Sequence, residues 1–374
     1  MINPKSRTIE WITEAATHLG IRDFALAEKT IRAFSLLEAL ARSGCPFVFK
    51  GGSSLLLHLN TSRRLSIDID IICPPGTQIE NYLMQYAGEY GFGKVELVER
   101  IARTDVPKQH AKFFYEVSYP GNGGQDKILL DVLFENIHYS DIVAKPIQSP
   151  LLATDEPLVM VNLPSAEDLL GDKLTAFAPH TTGIPFFKGE KNCSMEIIKQ
   201  LYDVASLFDI VDDLSVTEKT FRKFAVVELR YRHLQDDSIQ QVCDDIYQTA
   251  LCICLRGLHN PDEYKLLIGG INRISNFIHS EKYTLDSAII NASKAAYLSK
   301  LISKGITGIR RFSPDNQKEL ISKSLKEPLL EKPRDFDPFG QTGFAHIWLQ
   351  YDCPFKVMVL GAILFYPFKI SRFS

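Results

Sequence analysis

The sequence lacks the cysteine patterns that mark metal-binding or disulfide-stabilised proteins. Its seven cysteines are scattered and odd in number, and they include no CxxC pair and no Cys/His spacing typical of zinc ligands. A disulfide framework and a structural zinc site are therefore not expected. Free thiols in a reducing cytosol fit this cysteine usage best.

The sequence also lacks a strong charge bias and a membrane-spanning segment. The formal net charge of the 374 residues is −3, so any contact with nucleic acid must come from local basic patches. The first residues contain no apolar signal core. The apolar run FKVMVLGAILFYPF near the other end is too short to cross a bilayer. These absences predict a cytoplasmic protein without a membrane partner.

What remains is the composition of an ordinary globular protein, with 45% hydrophobic and 23% charged residues. A chain of this length is expected to form two domains, or one large domain with an appendage. Strand and helix patterns alternate in residues 1–214, which begin with two helices, and helical periodicity dominates residues 215–330. Residues 331–374 are interpreted as a linker followed by an apolar tail.

The stretch PFVFKGGSSLLLHLNTSRRLSIDIDII carries the most informative pattern. Pro46 to Lys50 predicts a short buried strand that ends at Gly51-Gly52. Glycines after a strand let the backbone approach a ligand closely, and the amides that follow can face phosphate oxygens. Ser53 or Ser54 is expected to cap the short helix SLLLHL.

A second strand is predicted from Leu65 to Ile72, where side chains alternate between two faces. Asp68 and Asp70 share one of these faces. Two carboxylates this close are costly to keep ionised unless a cation sits between them. The alternative is a capped turn followed by a strand with two exposed aspartates, but Asp is a poor strand residue.

The sequence KILLDVLF, residues 127–134, predicts a further strand after the hairpin loop PGNGGQD. Because it is apolar on both faces, we expect it to be central and buried. Asp131 would then be a carboxylate in the sheet interior, which is costly unless it is paired or bound to metal. A satisfied structural aspartate is the alternative.

Two later helices each carry one charged residue of interest. In SAEDLLGDKLTAFA, which starts with a capping box at Ser165, Lys173 falls inside the apolar stripe when the helix is projected at about 100° per residue. In MEIIKQLYDVASLFD, Asp203 projects to the side opposite the apolar residues. A snorkelling lysine and a solvated surface aspartate are the alternatives for these two residues.

A locally basic run follows in the helical region. Its cations are interleaved with aromatic residues, a pattern that can track an RNA backbone. An ordinary solvated helix face is the commoner origin of such a pattern. The cationic residues are Arg222, Lys223, Arg230, Arg232 and His233.

Four separated motifs resemble a known family. A Gly-Ser turn followed by Asp-x-Asp on a neighbouring strand resembles the nucleotidyltransferase superfamily. The strings KGGSS and RLSIDID, with DKLTA and KQLYDVASL further on, are similar to the AbiEii/AbiGii toxin family of type IV toxin–antitoxin systems. The last string departs from that family, because Lys199-Gln200 stands where the family carries Arg-Asp. The resemblance implies an α+β fold, with a nucleotidyltransferase-type mixed β-sheet flanked by helices and followed by an α-helical C-terminal domain.

The resemblance also implies a reaction and a set of site residues. A nucleoside monophosphate would pass from an NTP to an acceptor hydroxyl, with a tRNA 3′ end as the expected acceptor. Mg²⁺, or Mn²⁺ in its place, would be held by Asp68, Asp70 and Asp131, and Lys173 and Asp203 would complete the catalytic set. A cognate antitoxin is a further implied partner. The implied nucleotide-binding residues are Lys50, Gly51, Gly52, Ser53, Arg63, Arg64, Ser66 and Lys173.

Three alternatives stay open at this point. The acceptor can be a small molecule or a protein. The chain can also bind nucleotide without catalysis, although an intact Asp-x-Asp argues against that. A protein-interaction module whose helical half carries the function is the alternative from a different class.

Overall fold

A computed structural model describes residues 1–59, 64–98, 108–119, 124–234, 238–279 and 281–309. The chain divides into two compact units. The first comprises Met1–Leu169 and Ser275–Lys282, and the second comprises Leu170–Ile274 and the described residues from Tyr283 onward. The domain limits at residues 214 and 330 stay predictions, and the linker and apolar tail lie outside the described residues.

The first unit mixes helices with strands, as the sequence predicts. A 3₁₀ helix, Pro4–Arg7, precedes the first α-helix, and another, Ala87–Tyr90, follows α4. The main elements, in chain order, are α1 (Ile9–His18), α2 (Phe24–Arg42), β1 (Val48–Lys50), α3 (Gly51–His58), β2 (Ile69–Cys73), α4 (Glu80–Leu83), β3 (Phe92–Val98), β4 (Lys108–Glu116), β5 (Gln125–Phe134), β6 (Ile142–Pro146) and β7 (Met160–Pro164).

Five of these strands form one mixed sheet in the order β1-β2-β5-β4-β3. The central pair, β2 and β5, is parallel, and the other neighbouring pairs are antiparallel. Strands β6 and β7 pair separately. The predicted α+β fold with a mixed sheet and flanking helices is confirmed.

One face of the five-stranded sheet is buried in the core of the first unit. Ile69 and Ile71 of β2 are fully buried, as are Ile128 and Leu130 of β5. Helix α2 packs on this face, and its N-terminus is capped by the Asp23 side chain, which accepts a hydrogen bond from the Leu26 amide. Asp70 of β2 and Asp131 of β5 therefore project to the opposite face.

The second unit is almost entirely helical in its described part. Helix α5 (Ala166–Ala176) begins at the end of the first unit, and a two-stranded ribbon, β8 (Phe187–Lys188) and β9 (Lys191–Asn192), follows it. Among the described residues, no helix is both long and apolar enough to span a membrane. The remaining helices are α6 (Ser194–Phe208), α7 (Ser215–Tyr231), α8 (Ile239–Cys254), α9 (Pro261–Ile274) and α10 (Leu285–Ser303).

Candidate active site

The glycine turn after β1 lies directly against Asp70. Gly51 has a φ of 80°, a backbone conformation that L residues rarely adopt. A Cβ atom on Gly51 would stand 2.2 Å from Asp70 Oδ2, so a side chain at this position would displace the carboxylate. Only glycine therefore lets the turn approach the acid this closely.

The second glycine packs on the segment that follows α3. A Cβ atom on Gly52 would stand 2.7 Å from Arg64 Nη2 and 3.0 Å from Ser66 Oγ. Arg64 is buried, and Ser66 is half-buried. The structure thus brings the predicted residues Gly52, Arg64 and Ser66 together, whereas Arg63 lies outside the described residues.

Helix α3 begins three residues earlier than the predicted helix SLLLHL. It starts at Gly51, and no side chain caps it, so the predicted cap at Ser53 or Ser54 is wrong. The Ser54 hydroxyl instead donates to the Gly51 carbonyl at 2.8 Å, and the Ser53 hydroxyl donates to the Asp68 carbonyl. Without a capping side chain, the first amides of α3 are placed as in anion sites at helix N-termini.

The acid-bearing strand is shorter than predicted. The strand Leu65–Ile72 of the sequence prediction is replaced by Ile69–Cys73, so Asp68 precedes β2 and Asp70 lies within it. Asp68 is exposed and Asp70 is half-buried. The hydrogen bond from Ser53 to the Asp68 carbonyl joins this segment to α3.

Strand register places four polar side chains in one row across the open face of the sheet. Lys50 of β1 is the cross-strand partner of Asp70, and Asp70 is the partner of Asp131 on β5. Asp131 is in turn the partner of His110 on β4. Partners on neighbouring strands share a face, with strands about 4.8 Å apart. The row Lys50–Asp70–Asp131–His110, called the polar row below, brings Asp131 beside Asp70 as predicted.

The predicted burial of Asp131 is wrong. Strand β5 is central, but its Asp131 side chain is 45% exposed, and Leu129 on the same face is also exposed. Apolar residues on both faces are therefore not a sign of two buried faces here. His110 Nδ1 is hydrogen-bonded to Asp131 Oδ1. The sequence gives no direct signal for this histidine, because its place follows only from the β4–β5 register.

Lys173 and Asp203 form a buried ion pair in the second unit. The Lys173 ammonium lies 3.0 Å from Asp203 Oδ2 and donates to Gln200 Oε1 at 3.1 Å. The two side chains are only 7% and 2% exposed. The prediction that Asp203 occupies an open helix face is wrong, because α6 is buried on that side as well. Gln200, which stands where the resembling family carries Asp, was not predicted to take part in this contact.

A sequence model of one protein family matches the part of the chain that carries these residues. The family is described as nucleotidyl transferase AbiEii toxin, type IV toxin–antitoxin system, and the match covers residues 35–268. It extends over more than half of the chain, from α2 to α9, and includes the polar row, the glycine turn and the Lys173–Asp203 pair.

The chain belongs to the AbiEii family. It is therefore a nucleotidyltransferase toxin of the type IV toxin–antitoxin class, as the four motifs predicted. No curated protein matches the chain. The fold and the family are thus established together, while the assignment of individual site residues rests on the geometry of this AbiEii protein.

The polar row suits a divalent cation in its donor chemistry. Among the described residues, no group of three His, Cys, Asp or Glu side chains is arranged to hold a metal ion. Mg²⁺, however, is usually bound by one or two carboxylates together with substrate phosphates. The neighbouring carboxylates Asp70 and Asp131 supply that number of hard oxygen donors, and Asp68 lies two residues away on the same chain segment.

Proposed function

We propose that this AbiEii-family toxin transfers a nucleoside monophosphate from an NTP to the 3′-terminal hydroxyl of an RNA, with tRNA as the acceptor. The observation that supports this most is the register that places Asp70 beside Asp131, directly under the Gly51 turn. A phosphate-binding turn and two adjacent acids are the parts that phosphoryl-group chemistry requires.

In this proposal the nucleotide lies on the β1–β2 side of the sheet. The first amides of α3 donate to phosphate oxygens, and the Lys50 ammonium and the Arg64 guanidinium balance the phosphate charge. Ser66 borders the nucleotide. Asp70 and Asp131, with Asp68 two residues before Asp70, would hold Mg²⁺ or Mn²⁺, and the bound cation would neutralise charge and orient the triphosphate.

The acceptor hydroxyl reacts on the β5 side of the polar row. Its oxygen forms a bond to the α-phosphorus, the bond from that phosphorus to the bridging oxygen breaks, and pyrophosphate leaves. The hydroxyl proton passes to the Asp131 carboxylate, which His110 orients through its hydrogen bond to Oδ1. Asp70 lies between Asp131 and the glycine turn, on the side of the nucleotide.

The Lys173–Asp203 pair has a separate place in the proposal. Lys173 binds phosphate oxygens of the nucleotide, and Asp203 holds the Lys173 ammonium in position, as their ion pair in the second unit suggests. A cognate antitoxin restrains the toxin, in keeping with the family's toxin–antitoxin class. The preferred base is an outcome of the assay that follows.

The test is a labelling experiment with the full chain. Purified protein is incubated with Mg²⁺, each α-labelled NTP in turn, and total RNA or cell extract. Label in RNA, with a matching loss when EDTA is added, supports the proposal. Label in protein or in a small molecule would show that the acceptor belongs to one of those classes and is not RNA. No label with any acceptor would contradict the proposed reaction.

A further inference from the structure

The open face of the sheet continues beyond the polar row as a lysine-rich surface. Along β5, the side chains two and four residues before Asp131 are Leu129 and Lys127. Their partners on β4 are Lys112 and Phe114. Those residues pair in turn with Glu96 and Lys94 on β3. We call the surface formed by Lys94, Lys112, Phe114, Lys127 and Leu129 the lysine face.

The lysines of this surface lie close enough to act together. Lys94, Lys112 and Lys127 all lower the pKa of the Glu96 carboxylate, with the Lys94 hydrogen bond as the largest cause. The Lys94 ammonium also lies 5.4 Å from the centre of the Phe114 ring. The acids on these strands that share the sheet face are Asp131 of the polar row, Glu96, which is ion-paired with Lys94, and, at the far end of β4, Glu116. Beyond the Lys94–Glu96 pair, the face carries Lys127 opposite Phe114 on β5 and Lys112 two residues from Phe114 on β4.

We propose that the lysine face binds the phosphate backbone of the RNA acceptor and directs its 3′ end to Asp131. This inference rests on the proposed function, and it adds the surface that holds the acceptor. The glycine turn lies against β2, and the lysine face lies on β5, β4 and β3. The turn and the lysine face therefore lie on opposite sides of the pair Asp70 and Asp131.

Spacing and chemistry favour single-stranded RNA over an acidic protein. Side chains two residues apart along a strand are about 7 Å apart, so along β5 the lysine face begins about 7 Å from Asp131 and reaches Lys127 at about 14 Å, and Lys94, two strands to the side, lies at about 17 Å. Ammonium groups along such a path suit successive phosphates. Phe114 offers a ring on which a base can stack, a contact that an acidic peptide does not use.

The basic run on α7 is less suited to the same role. Arg222 is hydrogen-bonded to Glu218 at 2.8 Å, and Arg232 is hydrogen-bonded to the Gly183 carbonyl and lies 3.9 Å from Glu228. Those guanidinium groups are therefore already engaged within the helical unit. The contacts of Arg222 and Arg232 favour the ordinary helix-surface origin of this run over the alternative of an RNA track.

The test compares charge changes on the lysine face with equal changes elsewhere. Binding of a fluorescein-labelled RNA hairpin with a single-stranded 3′ end is measured by anisotropy for wild type and Lys112→Glu/Lys127→Glu. The milder pair Lys112→Gln/Lys127→Gln covers the case in which the charge reversal disturbs the sheet. The control pair is Lys265→Glu/Lys304→Glu, both exposed residues of the helical unit.

We expect the lysine-face variants to bind the hairpin at least roughly 10-fold more weakly, while the control pair binds like wild type. The slope of log Kd against log salt should fall by about 1.4 in the Gln pair, because each neutralised phosphate on a single strand contributes about 0.7 to that slope. The KM for NTP in the labelling assay should not change. Phe114→Ala should weaken binding without changing the salt slope.

The outcomes separate this inference from the proposed function. Wild-type hairpin affinity and salt slope in the Gln pair would overturn the lysine face as the acceptor surface while RNA labelling by the wild type persists. Equal weakening by the control pair would also overturn it, because binding would then follow net charge. Failure of the proposed function has a different signature, which is absence of RNA labelling by the wild-type chain.

Discussion

The polar row and the Lys173–Asp203 pair hold their carboxylates in opposite ways. In the first unit, Asp131 is 45% exposed and stands beside Asp70 because two strands are in register. In the second unit, Asp203 is 2% exposed and is held by an ammonium 3.0 Å away. A desolvated charge depends on its partner, whereas an exposed acid is stabilised by water. The row is therefore suited to chemistry, and the pair is suited to holding a side chain in place.

The largest expected effect on stability comes from breaking the buried pair. Asp203→Ala leaves the Lys173 ammonium buried without its carboxylate and should lower the free energy of unfolding by about 3–5 kcal/mol. Lys173→Ala should cost a similar amount, and a Lys173→Met/Asp203→Leu double variant should cost much less than the sum. Urea unfolding of the three proteins measures these differences.

The exposed pair Lys265–Asp262 is the matched control for that experiment. Its side chains are 76% and 90% exposed, so Lys265→Ala should change the free energy of unfolding by less than about 1 kcal/mol. A cost for Asp203→Ala as small as this would show that burial does not distinguish the two kinds of ion pair.

Lys173→Arg should use nucleotide poorly compared with the wild type, because a planar guanidinium does not replace the point charge of an ammonium. The labelling assay with NTP measures this difference.

Asp131→Asn should have the next largest effect, and on activity alone. The amide keeps the shape of the side chain but cannot accept the proton of the attacking hydroxyl. We expect the transfer rate to fall by roughly 100-fold, which is typical for loss of a positioned acid–base group. The thermal midpoint should stay close to wild type, because the side chain is exposed. A wild-type rate would remove Asp131 from the site.

Gly51→Ala tests whether the turn and the acid act as one unit. Gly76 provides the control, because it has a φ of 84° and nothing within 4 Å of an added Cβ atom. Both substitutions carry a similar backbone cost of about 1–2 kcal/mol. Only Gly51→Ala displaces the Asp70 carboxylate, so only this variant should lose activity, by about 10-fold or more. Equal rates in the two variants would contradict the close approach.

The sequence was sufficient for the local patterns and insufficient for the contacts between elements. The glycine turn and the strands that carry the acids follow from alternation and turn residues, whereas the place of Asp131 beside Asp70 follows from the family resemblance. The exposure of Asp131 does not, because periodicity cannot tell which apolar face of a central strand is covered. The burial of Asp203 does not follow either, for a related reason. Helix α6 is buried on more than its main apolar stripe, and a projection of one helix cannot include its neighbours.

His110 and Gln200 show the same limit from another side. Each contacts a predicted site residue, and each depends on a pairing between distant segments. The β4–β5 register makes His110 the partner of Asp131, and the contact of α5 with α6 makes Gln200 an acceptor for Lys173. A single sequence indicates the elements but not this register or packing.

The most direct test of the account measures rate and stability on the same preparation of Asp70→Asn. Nucleotide transfer is followed with labelled NTP, Mg²⁺ and the RNA acceptor, and thermal unfolding is followed without metal. We expect transfer to be lost and the thermal midpoint to be unchanged or higher, because replacing one of two neighbouring carboxylates relieves their repulsion. Asp68→Ala should behave in the same way. Transfer at the wild-type rate, or a marked fall in the midpoint, would contradict the assignment of the polar row as the catalytic centre.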